Sequence, residues 1–164
     1  MDWRSVDQLT WADFQGKPDT TLPWFAMTAT SMEMSSDTMF PDAVVLKVVT
    51  RFEPWDSWVV TGWDTPELLE HERWHFNIAE LHARRLRLAI AKHSAVSIDD
   101  LERTLTALYE KAATERDAMQ AVYDQETKHG IDRDAQRRWQ DRILRELNAT
   151  KEYAEHRVRL RLRA

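Results

Sequence analysis

Residues 65–92 read TPELLEHERWHFNIAELHARRLRLAIAK, and their apolar side chains recur with the period of an α-helix. Thr65 is a typical N-cap, and Pro66 suits the first helical position because an N–H there would have no partner. The sequence therefore predicts one long amphipathic helix from about residue 65 to about residue 92.

This predicted helix contains His71-Glu72-Arg73-Trp74-His75, an H-E-x-x-H motif. Residues four apart share a helix face, so the imidazoles of His71 and His75 can bind one Zn2+ ion. Glu72 can then serve as the general base for a water that the metal activates. These three residues predict the centre of a zinc site.

Two features after the motif limit this interpretation. A metzincin would need a Gly and a His at the positions of Ile78 and Leu81, so that class of zinc peptidase is excluded. His82 lies two helical turns beyond His75, about 10 Å along the axis, and cannot share its ion. We expect His82 at the surface or behind the ligands.

The rest of the chain predicts an α+β fold. Strand-like patterns cover residues 25–34, 44–52 and 58–60. A second helix follows the N-cap Ser97 and ends near Gly130, and a third begins near Asp132. We expect one domain over residues 1–164, with a small β-sheet from residues 1–64 packed on about three helices from residues 65–164. The tryptophans predicted to anchor the core are Trp11, Trp58, Trp63, Trp74 and Trp139.

A third metal ligand is expected from the end of the second helix, which reads YDQETKHG over residues 123–130. If this helix runs antiparallel to the first, its last turn faces the motif. His129 is the preferred third ligand, and Glu126 is the alternative. Asp124 is either a ligand itself or an acceptor that orients a ligand imidazole. Tyr123 is a candidate for stabilising an oxyanion, with a plain core role as the competing interpretation.

Composition excludes several other classes. The chain has no Cys, so it has neither disulfides nor thiolate ligands, and this fits an exported, periplasmic protein as well as an intracellular one. No apolar run is long enough for a membrane span. With a net charge of −5, it lacks the basic face of a nucleic-acid binder. The one basic cluster, at Arg157, Arg159, Arg161 and Arg163, is predicted to be a solvated terminus.

Motifs across much of the chain resemble an uncharacterised bacterial family of predicted zinc-dependent proteases in the zincin-like superfamily. This chain departs from the family pattern at Arg73-Trp74, where small or polar residues are common, and a core position for Trp74 would leave the site intact. The resemblance implies a zincin-like fold and hydrolase chemistry and leaves the substrate open. The matching elements are Trp11-x-Asp13-Phe14-x-Gly16, Ser57-Trp58, His71 to Phe76 with Ala79-Glu80-Leu81, Tyr123-Asp124-x-Glu126-Thr127-x-His129-Gly130, Gln136 and Trp139.

The function predicted from these observations is hydrolysis of peptide bonds in a peptide or protein substrate by a zinc metallopeptidase. A strand of the N-terminal sheet is expected to bind the substrate backbone by β-addition, and the strand around residues 44–52 is the first candidate. One alternative is a non-catalytic protein with a structural zinc site. Another is a helical interaction module in which the histidines are surface residues. The oligomeric state is not predicted.

Overall fold

The computed structural model describes residues 1–163 and shows an α+β protein with two sheets and three long helices, which confirms the predicted fold class. None of the helices among these residues has an apolar stretch long enough to cross a membrane. The helices are α1 (Pro66–Lys92), α2 (Ile98–Thr127) and α3 (Arg133–Ala149), with short 3-10 turns at Trp11–Asp13 and Lys151–Tyr153. The strands are β1 (Ala26–Met27), β2 (Thr30–Phe40), β3 (Ala43–Phe52), β4 (Trp58–Val59), β5 (Ser94–Ala95) and β6 (Arg157–Leu162).

The larger sheet has the strand order β2-β3-β6-β5, and β1 and β4 form a separate two-stranded sheet. Strand β3 is antiparallel to β2 on one side and to β6 on the other. Past the first residue of β6, the same edge of β3 pairs with the N-terminal segment, where Trp3 N donates to Thr50 O and Phe52 N donates to Met1 O. Because both edges of β3 are occupied, the prediction that residues 44–52 bind a substrate by β-addition is wrong.

Helix α1 forms the centre of the fold and begins as predicted, with Thr65 Oγ1 accepting a hydrogen bond from Leu68 N at 3.2 Å. One face of α1 packs on the larger sheet, where Leu86 and Ile90 join a core with Val48. The opposite face packs against α2 and α3 through Trp74, Ile78 and Leu81, which lie in a core with Tyr123, Trp139 and Ile143. The motif histidines therefore lie at the contact between α1 and α2.

Three charged residues of α1 that lie inside the protein, Glu80, Arg84 and Arg87, form one ion-pair cluster. Glu80 and Arg87 are fully buried, with Arg87 Nη1 3.0 Å from Glu80 Oε1. Arg87 also donates to Val48 O and Tyr153 O, and Arg84 Nε donates to Glu80 Oε1 at 2.9 Å. Buried charges are tolerated only when they are paired and hydrogen-bonded, and this cluster joins α1 to β3 and to the segment before β6.

The C-terminal segment is an ordered strand instead of the predicted solvated terminus. Val158 and Leu160 of β6 are buried, and the arginines alternate with them on the solvent side. Arg157 pairs with Asp37 and Arg159 with Asp42, each at 3.0 Å. The prediction is right for the arginine side chains and wrong for the backbone, because the period-two alternation in RVRLRL is that of a half-buried strand.

Predictions about two single side chains need correction. Of the two positions expected for His82, the surface is excluded, because His82 is buried with Nε2 3.2 Å from Met119 Sδ of α2. Trp63 is 46% exposed and stacks on Phe25, whereas Trp58 and Trp139 are buried as predicted.

Candidate metal centre

The two motif histidines converge as their spacing predicts. His71 and His75 lie one turn apart on α1, both are buried, and their Nε2 atoms are 3.2 Å apart. Two imidazole nitrogens that bind one zinc ion at tetrahedral angles are separated by about 3.3 Å. The geometry of this pair therefore matches that of two ligands to one ion.

The third group at this point is Asp124 of α2. Its Oδ1 lies 3.1 Å from His71 Nε2 and 2.9 Å from His75 Nε2. Ligand atoms of these three residues all lie within 4.8 Å of one another, the one such group of His, Cys, Asp and Glu among residues 1–163. Helices α1 and α2 run antiparallel here, since His71 faces Asp124 while His75 faces Gln120. A possible metal-binding triad is thus present.

Two glutamine side chains orient the imidazoles from behind. Gln120 donates through Nε2 to His75 O at 2.9 Å, so its Oε1 faces His75 Nδ1 at 2.5 Å. Gln136 donates through Nε2 to the Tyr123 hydroxyl, so its Oε1 faces His71 Nδ1 at 3.2 Å. An amide oxygen can only accept, so each Nδ1 atom donates its proton to a glutamine, and each Nε2 atom is the one left to present a lone pair to a metal.

Whether a metal fits this site can be judged from the atoms that face one another in it. Two Nε2 atoms and a carboxylate oxygen, all electron-rich, lie within 3.2 Å of one another. Such atoms repel unless a proton or a cation lies between them. Burial alone would lower the pKa of His75, but the hydrogen bond to Asp124 and the charges of Asp124 and Glu72 raise it to about 9. The same cluster that attracts a proton is suited to a cation with nitrogen and oxygen ligands.

Asp124 is held as an anion in this cluster. Burial alone would raise the pKa of its carboxyl, but the hydrogen bonds and charges of His71 and His75 lower that pKa well below its usual range. A carboxylate that stays ionised is the form that binds a metal.

His129, the preferred third ligand in the sequence, lies at the margin of the triad. Its Nδ1 is 3.5 Å from Asp124 Oδ1, its side chain is 48% exposed, and its ring stacks on Trp24. His129 follows Lys128, and both have positive φ, so the chain turns sharply after α2. His129 therefore faces the site without joining the tight group, and its role as a ligand stays a prediction.

The other two residues predicted from the C-terminal end of α2, Glu126 and Tyr123, are not part of the triad. Glu126 Oε2 accepts a hydrogen bond from Trp139 Nε1 at 2.7 Å, on the side of α2 that meets α3. The Tyr123 hydroxyl is buried and donates to His71 O at 3.1 Å, while its ring stacks on that of His71 at 4.7 Å. Burial raises the pKa of Tyr123 well above its usual value. These contacts position His71, and the predicted oxyanion role of Tyr123 is not carried by them.

Gly130 makes the close approach of this turn to α1 possible. Its φ is +84°, in the region that favours glycine, and a Cβ built on it would lie 2.9 Å from His71 Cβ. A side chain at this position would therefore displace the turn or His71. Helix α2 ends earlier than predicted, at Thr127 with Lys128 as its left-handed C-cap, so Gly130 serves the close approach to His71 and is not the cap itself.

Glu72 is buried beside the triad and held by the segment between β1 and β2. Thr28 Oγ1 donates to Glu72 Oε2 at 2.6 Å. Within residues 1–163, Glu72 Oε1 has no hydrogen-bond partner. One carboxylate oxygen is thus fixed by Thr28, and the other is not held.

The site opens into a cavity of about 380 Å³. Its wall combines acid, base and apolar groups from β1, α1 and α2. The lining includes Trp24, Ala26, Met27, Thr28, Thr30, Glu72, His75, Arg116, Asp117, Gln120, Asp124 and His129. A molecule from solution can therefore reach Glu72 and the exposed side of the triad.

Three residues of the site were not assigned functional roles in the sequence: Gln120, Gln136 and Thr28. Gln120 could have been found, because it precedes Asp124 by four residues and so lies on the same face of α2. Gln136 belongs to the family resemblance, but its contact with His71 depends on how α3 packs. Thr28 reaches Glu72 across the fold, and its sequence neighbourhood carries no signal of this contact.

The fold and the site together define an α+β protein in which a candidate metal-binding triad joins two antiparallel helices. Residues 50–130, which contain the triad, match the model of a bacterial protein family of unknown function, DUF922. No curated protein and no solved structure matches the chain significantly.

Proposed function

We propose that this protein is a zinc-dependent peptidase in which His71, His75 and Asp124 hold the metal and Glu72 is the general base. The observation that carries the proposal is the convergence of two imidazole lone pairs and a carboxylate oxygen next to a buried glutamate at an open cavity. A structural ion needs only the three ligand atoms. A hydrolase also needs the glutamate as a base and the cavity for its substrate.

The donor set supports zinc as the metal. Imidazole nitrogens suit zinc and its transition-metal neighbours, whereas Ca²⁺ and Mg²⁺ prefer sites built from oxygen alone. Two imidazoles, one carboxylate and an open position form a common arrangement in catalytic zinc sites. We therefore expect the purified protein to bind one equivalent of zinc through His71, His75 and Asp124.

A bound zinc ion would supply Lewis acidity toward a peptide carbonyl and toward water. The protein supplies the proton transfers. Glu72 Oε1 accepts a proton from the attacking water and passes it to the leaving nitrogen, while Thr28 holds Oε2 in place. The short bond from Thr28 keeps the carboxylate from turning away between the two transfers.

The free edge of β1 is the better place for a substrate backbone. Val60 N donates to Phe25 O, so the neighbouring hydrogen-bonded pair of this antiparallel ladder is Met27 with Trp58. The N–H and C=O of Ala26 then point away from β4. Ala26 and Thr28 line the cavity above Glu72, so a peptide paired with this edge would pass the site.

The decisive experiment compares the wild type with Glu72→Gln on a pool of peptides, after zinc loading, by mass spectrometry. Gln keeps the size of the side chain but cannot take a proton, so we expect cleavage to fall by about 10²–10⁴-fold while zinc content is unchanged. Glu102→Gln, on the exposed side of α2, is the matched control and should cleave normally. Equal cleavage by wild type and Glu72→Gln would refute the catalytic role.

A structural metal site is the second candidate, because His129 Nδ1 lies near enough to Asp124 Oδ1, at 3.5 Å, to move toward the metal as a fourth ligand. A closed site would leave no position for a substrate. It predicts that a chelator lowers the melting temperature strongly while neither wild type nor Glu72→Gln cleaves any peptide.

A further inference from the structure

A second cavity of about 350 Å³ adjoins the first. Glu72, Trp24, Ala26 and His129 line both cavities, so they share a wall that includes the proposed general base. Anything bound in the second cavity therefore lies directly beside the bond that Glu72 would help to break.

The surface of this second cavity is apolar and aromatic. Phe25 and Trp63 stack with ring centroids 3.5 Å apart and rings nearly parallel, and they are 40% and 46% exposed. Ile131, on the other side, is 77% exposed. Large apolar side chains grouped and exposed around one cavity are typical of a binding surface.

Charge does not define the ligand of this cavity. The charged residues that line it have both signs, Glu67 and Glu72 against Lys128 and Arg133. Arg133 is already engaged, with Nη2 2.9 Å from Glu70 Oε2. The cavity is thus unsuited to selecting an anion or a cation, and its apolar wall is what remains to select a ligand.

We infer that this cavity, lined by Phe25, Trp63, Leu68 and Ile131, binds a large apolar side chain, such as Leu, Met or Phe, of the residue next to the cleaved peptide bond. The inference rests on the proposed function. A peptide paired with the free edge of β1 passes Ala26, which lines both cavities, and alternate side chains of an extended peptide point to opposite faces. One side chain then enters the apolar cavity while the backbone lies at Glu72.

Binding is tested first, without catalysis. Zinc-loaded and zinc-free Glu72→Gln protein is titrated with acetyl-Ala-Ala-X-Ala-Ala-amide, where X is Leu, Phe, Ala or Glu, and the indole N–H signals of Trp24 and Trp63 are followed by NMR. We expect the Leu and Phe peptides to shift these signals and to bind about tenfold more tightly than the Ala and Glu peptides. Equal binding of all four peptides, or shifts confined to other tryptophans, would overturn the inference.

The matched variants are Ile131→Ser and Val96→Ser. Ile131 is 77% exposed and Val96 is 72% exposed, so neither change disturbs a core. Of the two residues, only Ile131 lines the cavity. We expect Ile131→Ser to weaken binding of the Leu peptide about threefold or more and Val96→Ser to leave it unchanged. Equal effects of the two variants would refute a role for this cavity. A dimer that forms through the apolar surface, seen by ultracentrifugation and abolished by Ile131→Ser, would also overturn the inference.

Cleavage then separates this inference from the proposed function. If wild type cuts a peptide pool without preference for large apolar residues beside the cut, the peptidase stands and the apolar subsite fails. If the Leu and Phe peptides bind selectively but Glu72→Gln cleaves as the wild type does, or neither cleaves, the subsite stands and the catalytic proposal fails.

Discussion

Gln120 Oε1 lies 2.5 Å from His75 Nδ1, while the amide nitrogen of the same side chain donates to the backbone carbonyl of His75. The Gln120 side chain thus contacts both the imidazole and the backbone carbonyl of His75. Because the orientation of the amide is set by the carbonyl, the tautomer of the imidazole is set as well. The proposed ligand atom, Nε2, is left facing Asp124, where a proton or a metal ion can lie between them.

Replacing Gln120 by Leu should therefore weaken zinc binding. Loss of a partner behind a ligand imidazole typically costs about 10–100-fold in metal affinity. Competition with a chelating dye measures the zinc Kd. Gln125→Leu, on the exposed side of the same helix, is the control and should bind zinc as the wild type does. Unchanged affinity in Gln120→Leu would show that the amide does not orient the ligand.

The third ligand can be identified by three parallel substitutions. Asp124→Asn should reduce zinc content most, because it removes the carboxylate that lies within 3.1 Å of both Nε2 atoms. His129→Ala should have a smaller effect. Glu126→Gln should have none, because Glu126 bonds to Trp139. The absorption spectrum of the cobalt-substituted protein reports the ligand set in each variant. A greater loss in His129→Ala than in Asp124→Asn would assign His129 as the third ligand.

Two glycines with positive φ offer a matched test of the contact at His71. Gly62→Ala adds only backbone strain, about 1–2 kcal/mol, because nothing lies within 4 Å of the new Cβ. Gly130→Ala adds similar strain and a contact of 2.9 Å with His71 Cβ. We expect Gly130→Ala to lower the free energy of unfolding more, in urea denaturation, and to weaken zinc binding. Equal losses of stability with normal zinc binding would contradict the proposed close approach.

His82 should make stability sensitive to mild acid. Burial, followed by the charge of Arg85, lowers its pKa from 6.5 to about 4 in the folded protein. Above about pH 6.5 the side chain is neutral in both states, and stability is complete. As the pH falls toward about 4, the unfolded chain takes up the proton first, so folding weakens by up to about 3 kcal/mol.

The measurement is urea denaturation of the chelated protein between pH 7 and pH 4, for wild type, His82→Leu and the exposed-residue control His93→Gln. The chelator removes the metal from all three, so titration of the triad is common to them. We expect His82→Leu to lose less stability than the other two on acidification. Parallel curves for all three proteins would show that His82 titrates normally.

The buried pair of Glu80 and Arg87 should be essential for stability. Glu80→Gln leaves the fully buried Arg87 and its neighbour Arg84 without a counter-charge, and breaking such a pair typically costs about 3–5 kcal/mol. Glu115→Gln removes the exposed partner of Lys111 and should cost less than about 1 kcal/mol. Thermal melting of the two variants measures the contrast. Similar melting temperatures would mean that Arg87 is satisfied by its backbone acceptors alone.

Much of the fold could be predicted because its signals are local. The period of residues 65–92 and the N-caps Thr65 and Ser97 depend on side chains that act within their own helix. The predicted stop at Gly130 is less accurate, because α2 ends at Thr127 and Lys128 already has the left-handed conformation of the C-cap. The strand at residues 157–162 was missed because its arginines suggested solvent. Its alternating Val158 and Leu160 have a meaning only when β3 is present as their partner.

The same difference between local signals and tertiary contacts applies to the site. The approach of His71 to His75 follows from helical spacing, and the contribution of α2 follows from the antiparallel arrangement. The choice between Asp124, Glu126 and His129 could not be predicted, because it depends on the rotation of α2 about its axis and on the turn after it. Those two features are set by tertiary contacts such as that of Gly130 with His71.

The pairing of β3 with β6 gives the chain a specific order of assembly during synthesis. Lys47 is paired with Arg157, so the sheet beneath α1 lacks one strand until almost all of the described chain has left the ribosome. Every proposed metal ligand is synthesised earlier than that strand. Closing so long a loop is slow, so docking of this strand is expected to be the late step of folding. The face of α1 that carries Leu86 and Ile90 would then be covered last, after α1 and α2 have met at the proposed metal ligands.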